Sequence, residues 1–326
     1  MRFLRVSGTH REVGRQVGAA TAEVVRREAA TPFDPALVDC FRAATVEHLP
    51  WVADELEGVA EGAGADPVAV FAASIVELAS GGCIDLVAMP EVTADGHLLV
   101  AHNNDYPAST EPDYLAIEWR VPGEPVCFTI GLGPWLAAGW NDAGLSMTAN
   151  ALTPADERAG VPRVLVMRDV VTRRTLADAV EAALHPARAS SYNWVLAHRD
   201  GGAVDIEGGA HRAETIEPEH GVLAHTNHYT HPALLDLEGS TGIDGSIERL
   251  RRARELLAAR EEPWTSDAVR GVLSDHENAP DSLCRHGDGA EVRTVFWCVA
   301  DVTAGSIRYG SGPPCTSDED VYELPR

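Results

Sequence analysis

The stretch Ser80-Gly81-Gly82-Cys83-Ile84-Asp85 divides the sequence into two parts with different hydrophobic patterns. Before it, apolar residues recur at the three- and four-residue spacing of helices, and after it they alternate with polar residues as in strands. The glycine pair ends the helical pattern, because glycine adopts backbone angles that other residues avoid. We therefore expect Cys83 to open the first strand of a β-rich region.

The first eighty residues predict helices only. A first helix carries Val13 and Val17 on one face, and a longer helix is expected over 37–64. A third helix is expected to begin at Asp66-Pro67, with the aspartate as its N-cap, and to run to residue 78 or 79.

After Cys83 the predicted strands are short and are separated by glycine, proline and aspartate. They are expected at 97–102, 114–121, 126–130, 144–150, 192–198, 203–207, 211–216, 222–225, 293–299 and 306–309, with helices at 162–172, 176–184, 246–260 and 266–274. Runs of strands between runs of helices favour an α+β fold, in which helices pack on antiparallel sheets. The polar segment 280–290 is expected to be a surface loop.

The charge balance excludes several classes of partner. The chain has 326 residues, 26 basic residues that are all arginine, and 50 acidic residues, which gives a formal net charge of −24. A surface of this sign repels phosphate backbones and anionic lipids, so we expect neither a nucleic-acid nor a membrane partner. The lack of lysine also excludes a Schiff base and a P-loop.

The six cysteines are scattered and form no CxxC pair. This spacing indicates neither a disulfide framework nor a zinc ribbon. The sequence shows no apolar run of membrane length and no signal-like start. We expect a cytoplasmic protein that needs no metal and no organic cofactor.

Cys83 carries the strongest chemical signal in the sequence. A cysteine after a flexible glycine pair can direct its thiol at the preceding carbonyl group, although most buried cysteines only fill space. Three motifs follow it in order: NND at 103–105, WNDAGL at 140–145 and TNH at 226–228. Together they resemble the isopenicillin N acyltransferase family of cysteine N-terminal-nucleophile (Ntn) hydrolases, with the choloylglycine hydrolases as more distant relatives.

The resemblance implies a single four-layer αββα domain that cuts itself between Gly82 and Cys83. Residues 1–82 would form a helical α chain and residues 83–326 a β chain, held together as a heterodimer. Whether the heterodimers associate further is open. The α-amino group freed by the cut has a pKa of about 8, so it can accept the proton of the adjacent thiol.

The same resemblance assigns roles to four further residues. Asp105 would hold the new amino group, and Arg293 would pair with Asp105. Asn227 would donate a side-chain N–H to the oxyanion of the tetrahedral intermediate, where one such donor contributes about 10²–10³ in rate. Asn150, at the end of a predicted strand, would contribute to the same oxyanion hole.

Two more residues are candidates for substrate binding. His102 stands where choloylglycine hydrolases carry arginine, and Arg249 resembles a helix arginine of those relatives, although neighbouring arginines favour a solvated helix face. The family usually carries threonine or serine after the nucleophile. Ile84 removes that hydroxyl group, which leaves the rate of self-cleavage open.

Other chemistry has less support in the sequence. His225, His228 and His231 could offer three imidazoles to zinc, but Pro232 and the loop-like residues between them do not place all three on one face. The Asp-His-Glu run at 275–277 is expected to be a solvated helix end. A papain-like Cys–His pair is a further alternative that the sequence does not exclude, although Cys83 precedes a strand pattern and not a helix.

The sequence thus predicts a self-activating cysteine amidohydrolase or acyltransferase that acts on an amide of a small N-acyl compound. Water or an amine would attack a shared acyl-enzyme, and hydrolysis is slightly favoured because water is always present. The alternative is an uncut domain of the same fold that binds an amide ligand without turning it over.

Overall fold

The computed structural model describes residues 1–77, 82–239, 242–287 and 292–325. Within these ranges the helices are α1 (His10–Ala20), α2 (Ala22–Ala29), α3 (Pro35–His48), α4 (Pro50–Ala63), α5 (Pro67–Ala72), α6 (Arg163–Val170), α7 (Leu176–Ala183), α8 (Asp244–Ala258) and α9 (Ser266–Leu273). The strands are β1 (Arg2–Ser7), β2 (Gly82–Ala88), β3 (Leu99–Pro107), β4 (Tyr114–Arg120), β5 (Cys127–Leu132), β6 (Trp135–Asn141), β7 (Leu145–Ala151), β8 (Tyr192–His198), β9 (Ala203–Gly208), β10 (Ala213–Ile216), β11 (Val222–His225), β12 (Val292–Asp301), β13 (Ser306–Ser311) and β14 (Asp320–Glu323).

These strands form two sheets. The first has the order β1-β4-β5-β6-β7-β8-β9-β10, and the second has the order β11-β2-β3-β12-β13-β14. Within the described ranges, neighbouring strands are antiparallel except that β1 runs parallel to β4. Because β2 lies between β11 and β3, both of its edges are hydrogen-bonded.

Three apolar layers hold the sheets and helices together. The inner faces of the two sheets pack on each other through large side chains such as Phe128, Trp140 and Phe296. Helices α1, α6 and α7 contribute to the core on the outer face of the eight-stranded sheet. Helices α8 and α9 cover the outer face of the six-stranded sheet. The predicted four-layer αββα architecture is confirmed. In the described part of the chain, no helix is both long and apolar enough to cross a bilayer.

Alternation along β2 decides which side chains meet which layer. Val87 belongs to the core between the sheets, whereas Ile84 and Leu86 belong to the core beneath α8 and α9. Since successive residues of a strand point to opposite faces, Cys83 and Asp85 share the inner face with Val87. The strand thereby directs the thiol toward the space between the two sheets.

The amino-terminal segment differs from its all-helical prediction in three places. Its first residues form β1, which pairs with the distant β4 and therefore leaves no local periodic signal. The helix expected over 37–64 is divided into α3 and α4, because Pro50 lacks a backbone N–H and begins the second helix. Helix α5 ends at Ala72, before the predicted end. That end, at residues 78 and 79, lies outside the described residues.

The β-rich part follows the prediction more closely, with three differences. Strand β6 is absent from the prediction because its small residues 137–139 weaken the β-branched and aromatic signature of a strand. The short β14 is also absent from the prediction. Strand β3 continues beyond His102 to Pro107, so the NND motif lies within a strand and not in a turn after it.

Helices α1 and α4 pack with their backbones in close contact. Gly14 and Gly18 of α1 face α4, and a Cβ atom at Gly18 would lie 2.1 Å from the carbonyl oxygen of Val59. The arrangement is reciprocal, because Cβ atoms at Gly58 and Gly62 of α4 would lie 2.3 and 2.1 Å from backbone oxygens of α1. Glycine at these positions therefore sets the distance between the two helices.

We expect Gly18→Ala to lower the free energy of unfolding by about 2 kcal/mol or more, because the two helix backbones must separate to admit the methyl group. The matched control is Gly271→Ala in α9, where a Cβ atom would meet nothing within 4 Å. That change should be neutral or stabilising by up to about 1 kcal/mol, since alanine favours helix. Urea denaturation followed by circular dichroism measures both. Equal losses of unfolding free energy in the two variants would show that the close contact between α1 and α4 does not require glycine at position 18.

Candidate active site

The Cys83 thiol lies between the two sheets and is buried. Its partner in the strand register is Asn104 on β3, whose Nδ2 donates a hydrogen bond to Sγ of Cys83 at 3.5 Å. The hydroxyl group of Tyr114 donates to Oδ1 of Asn104 at 3.0 Å, which keeps the donor side of that amide toward the sulfur. A donor aimed at the sulfur stabilises negative charge there.

The backbone nitrogen of Cys83 is held by Asn227. Its N–H donates to Oδ1 of Asn227 at 2.7 Å, and Nη2 of Arg249 donates to the same oxygen at 2.8 Å. Two donors at one atom identify it as the oxygen of the amide. The Nδ2 atom of Asn227 donates to the carbonyl oxygen of Ala151 at 3.1 Å. The side chain predicted for the oxyanion hole therefore contacts the peptide bond that joins Gly82 to Cys83.

Asp105 faces the opposite side of the sheet from the thiol, directly across from Gly82 in the register of β2 and β3. Its Oδ1 accepts a hydrogen bond from Oγ1 of Thr294 at 2.7 Å, and its Oδ2 lies 3.5 Å from Nε of Arg285. Burial raises the pKa of Asp105, and the charges of Arg285 and Arg249 oppose that shift. The carboxylate thus depends on nearby cations to stay ionised.

Arg293 is not placed where the sequence predicted it. Its Nη1 lies 3.2 Å from Oε2 of Glu111, and its partner in the strand register is Tyr106. The next residue, Thr294, is the one that faces Asp105. Because neighbouring residues of a strand point to opposite faces, Arg293 is directed away from Asp105. Arg285 provides the guanidinium group that was expected from Arg293.

Arg285 is a site residue that the sequence did not single out. It lies in the segment predicted to be a surface loop, and polar loop residues carry no periodic signal. Its backbone N–H donates to Oγ1 of Thr294 at 3.1 Å, and its carbonyl oxygen accepts from the Thr294 N–H at 3.0 Å. This two-way pairing with β12 fixes the arginine beside Asp105.

His102 lies beside Cys83 and is fully buried, so it is not exposed for the contact with a substrate that the sequence predicted. Its Nδ1 is 2.8 Å from Oδ1 of the buried Asp85 across the β2–β3 pairing. Burial alone would lower the pKa of His102, but the Asp85 carboxylate and the Cys83 thiol raise it to about 10. The imidazole is therefore cationic at neutral pH. The charged ring lies on the same face of the sheet as the Cys83 thiol.

Asn150 and Arg249 occupy different sides of the site. Asn150 is buried on β7, and its Nδ2 donates to the carbonyl oxygen of His225 at 3.1 Å, which joins the two sheets. Arg249 is buried at the start of α8, where burial and the neighbouring Arg285 lower its pKa to about 10. It is still cationic at neutral pH. Arg251 shows the solvated pattern expected of its neighbours, since it pairs with surface glutamates of its own helix.

Two cavities lie next to the Gly82–Cys83 junction. An apolar cavity of about 150 Å³ reaches Cys83 and Asn104 and has walls from both parts of the chain, including Ala73, Val164 and Tyr192. A larger groove of about 700 Å³ begins at Gly82. Its polar lining includes the side chains Asp105, Asn227, Arg249, Asp281 and Arg285. The site therefore offers a mainly apolar space at Cys83 and a charged space at Gly82.

Ile84, the residue after Cys83, faces away from the thiol. Ile84 is fully buried in the core beneath α8 and α9, on the face opposite the thiol. The isoleucine therefore packs in the core beneath α8 and α9, and its side chain does not contribute to the surroundings of the sulfur.

The three histidines considered as zinc ligands have separate partners. His225 lies with Nε2 2.8 Å from Oε1 of Glu207, and Nδ1 of His228 lies 2.7 Å from Oγ of Ser246. The Nδ1 atom of His231 accepts a hydrogen bond from the backbone of its own loop. Their rings are engaged in different networks, as their spacing in a loop predicts.

The family model for acyl-coenzyme A:6-aminopenicillanic acid acyl-transferase matches residues 92–314, which is more than half of the chain. The chain belongs to this family. Membership confirms the predicted resemblance and the predicted class of enzyme, which acts on amide bonds by hydrolysis or acyl transfer.

Solved structures of three other enzymes are similar to this chain. The N-acylethanolamine-hydrolyzing acid amidase ortholog of Caenorhabditis elegans is 16% identical with a TM-score of 0.47, covering 68% of this chain and 93% of that chain. A variant of the conjugated bile acid hydrolase of Clostridium perfringens is 13% identical with a TM-score of 0.48, covering 74% and 97%. Penicillin V acylase from Agrobacterium tumefaciens is 12% identical with a TM-score of 0.44, covering 74% and 86%. A search of curated protein sequences found no match.

We expect Arg285→Gln to lower the free energy of unfolding at pH 7 by about 3 kcal/mol, because it removes a cation from a buried carboxylate. The loss should shrink as the pH falls, since a protonated Asp105 needs no cation. The matched control, Arg293→Gln, should cost less than about 1 kcal/mol, because its pair with Glu111 is partly exposed. Urea denaturation at pH 7 and pH 5 measures both variants. Equal losses, or a loss for Arg285→Gln that does not depend on pH, would exclude this assignment of the cation.

Proposed function

We propose that the chain activates itself by cutting the Gly82–Cys83 peptide bond and then hydrolyses a small N-acyl amide through an acyl-enzyme on Cys83. The observation that carries this proposal is the 2.7 Å hydrogen bond from the Cys83 N–H to Oδ1 of Asn227. It holds the nitrogen of the peptide bond in place while the thiol of the same residue faces Asn104 and His102. Hydrogen bonds thus hold both the nitrogen of the bond to be cut and the sulfur that would attack it.

Self-cleavage would begin when Sγ of Cys83 attacks the carbonyl carbon of Gly82. As the C–N bond breaks, the thiol proton passes to the leaving nitrogen and a thioester joins Gly82 to Sγ. Water then hydrolyses the thioester to the Gly82 carboxylate and a free thiol. Oδ1 of Asn227 can accept a hydrogen bond from the peptide N–H before the cut and from the new amine after it. The amide of Asn104, which donates a hydrogen bond to Sγ at 3.5 Å, would orient the attacking sulfur.

The new amino group would then serve as the base for substrate turnover. Its pKa of about 8 suits proton exchange with the thiol at neutral pH. Asp105 lies across from Gly82 and is positioned to pair with the ammonium form. Since Nδ2 of Asn227 uses one of its two hydrogens on Ala151, the second is available to the oxyanion. The amine finally returns its proton to the leaving group of the substrate.

The two cavities indicate how a substrate would lie. The apolar cavity of about 150 Å³ fits a small apolar acyl group next to Cys83. The charged groove, with Arg249, Arg285 and Asp281 on its walls, fits a polar amine portion on the side of Gly82. We therefore propose an N-acyl compound whose acyl part is apolar and whose amine part is polar or charged.

Acyl transfer is the second candidate reaction. It is favoured by the family's description, which names an acyl-transferase, and by the groove of about 700 Å³, which could hold an acceptor amine. Both reactions share the acyl-enzyme and differ only in the group that attacks it. Supplying an amine with the substrate and separating the products by mass distinguishes the two.

We expect Cys83→Ala to reduce cleavage of a panel of N-acyl amides by at least about 10³, because it removes the nucleophile. The control is Cys40→Ala at an exposed position, which should stay within about twofold of wild type. Product release measured by mass spectrometry compares the two variants. Activity that survives in Cys83→Ala would refute the nucleophile. A wild-type protein that binds the panel without cleaving any member would support a binding domain in its place.

A further inference from the structure

Two cysteines and two histidines meet at one place on the outer side of the six-stranded sheet. His276 follows α9, Cys284 and His286 lie in the segment between α9 and β12, and Cys315 lies between β13 and β14. One donor atom from each residue lies within 4.8 Å of the others. Two connections of the chain, α9–β12 and β13–β14, therefore bring four good metal ligands together.

Four of the six distances between the donor atoms are close to those of a tetrahedral zinc site, and the other two are within 4.8 Å. Zinc bonds of about 2.3 Å to sulfur and 2.0–2.1 Å to nitrogen place tetrahedral ligands about 3.8 Å (S to S), 3.6 Å (S to N) and 3.3 Å (N to N) apart. The Sγ atoms of Cys284 and Cys315 are 3.5 Å apart. Nε2 of His286 is 3.7 and 3.2 Å from these two sulfurs, and 3.0 Å from Nε2 of His276.

We propose that these four side chains bind one structural Zn²⁺ ion. Two thiolates and two imidazoles suit zinc, and four protein ligands fill a tetrahedral shell with no position left for a substrate. Two thiolates would also neutralise the charge of the ion. The sequence predicted no metal, because the four ligands form no CxxC pair and His276 was expected to be a solvated helix end. The ligand set becomes visible only when the loops are folded together.

A disulfide between Cys284 and Cys315 is the main competing explanation, since their sulfurs are close. A disulfide would use only the two cysteines. It would not explain why the imidazoles of His276 and His286 lie next to the same two sulfurs. Zinc accounts for all four positions at once.

The position of the site suggests what the ion would do. Its ligands Cys284 and His286 flank Arg285, the cation beside Asp105. The hydroxyl of Ser282 donates to the Cys284 carbonyl oxygen at 2.7 Å, and the Cys284 N–H donates to that of Asp275 at 2.9 Å, so the segment is already tied to the end of α9. Zinc would add a link to the β13–β14 connection and hold Arg285 in place. This positioning role rests on the proposed function, whereas the zinc site itself does not.

The test is the zinc content of the full-length protein, purified without chelator under reducing conditions and measured by inductively coupled plasma mass spectrometry. Wild type should hold about one zinc ion per chain, and Cys315→Ser and His276→Ala should each lower this to below about one tenth. The matched controls are Cys40→Ser and His211→Ala, at exposed positions outside the cluster. Both should keep the wild-type content.

A second measurement does not depend on variants that fold. Wild type stripped of metal and given Co²⁺ alone should show the visible absorption bands of tetrahedral cobalt with thiolate ligands. A wild-type protein that binds neither zinc nor cobalt overturns the proposal. A thiol count two lower than the six cysteines of the sequence, on the denatured and unreduced chain, also overturns it in favour of a disulfide. A protein that holds zinc but never cuts itself would refute the proposed function and leave the zinc site standing.

Discussion

The pairing of β2 with a neighbour on each edge is the constraint on which the site depends. Since β11 and β3 hydrogen-bond both edges, the strand cannot slip by one residue without turning every side chain to the wrong face. The register therefore fixes Cys83 toward Asn104 and the His102 side of the sheet, and Gly82 toward Asp105. The Gly82–Cys83 peptide bond therefore has Asn104 and His102 on one face of the sheet. Asp105 and Arg285 lie on the other face.

The two parts of the chain are built to stay together if the bond between them is cut. Strand β1 belongs to the same sheet as β4, and the helices of the first segment share an apolar core with that sheet. The apolar cavity at Cys83 has walls from both segments, with Ala73 and Val76 from the first. If this cavity binds the acyl group, as we propose, both segments must remain in place after the cut, which fits the proposed α and β chains.

The sequence predicts several residues of this site because those nearest Cys83 belong to short motifs that can be read from the sequence. The NND motif with Asp105 and the TNH motif with Asn227 both lie next to the Gly82–Cys83 bond, although NND belongs to β3 and not to the turn that was predicted for it. Arg285 could not be predicted in this way, because it acts from a loop and its position depends on pairing with Thr294. The parallel strand β1 and the cluster around Cys284 were hidden for the same reason: both depend on contacts between distant segments.

The proposed mechanism requires that Cys83 becomes the first residue of a new chain. The most direct measurement is the intact mass of the freshly purified wild-type protein under denaturing conditions. Self-cleavage should give two polypeptides, one ending at Gly82 and one beginning at Cys83. Their masses should add up to the mass of the uncut chain plus one water. A single uncut chain that stays unchanged on prolonged incubation at neutral pH would contradict it.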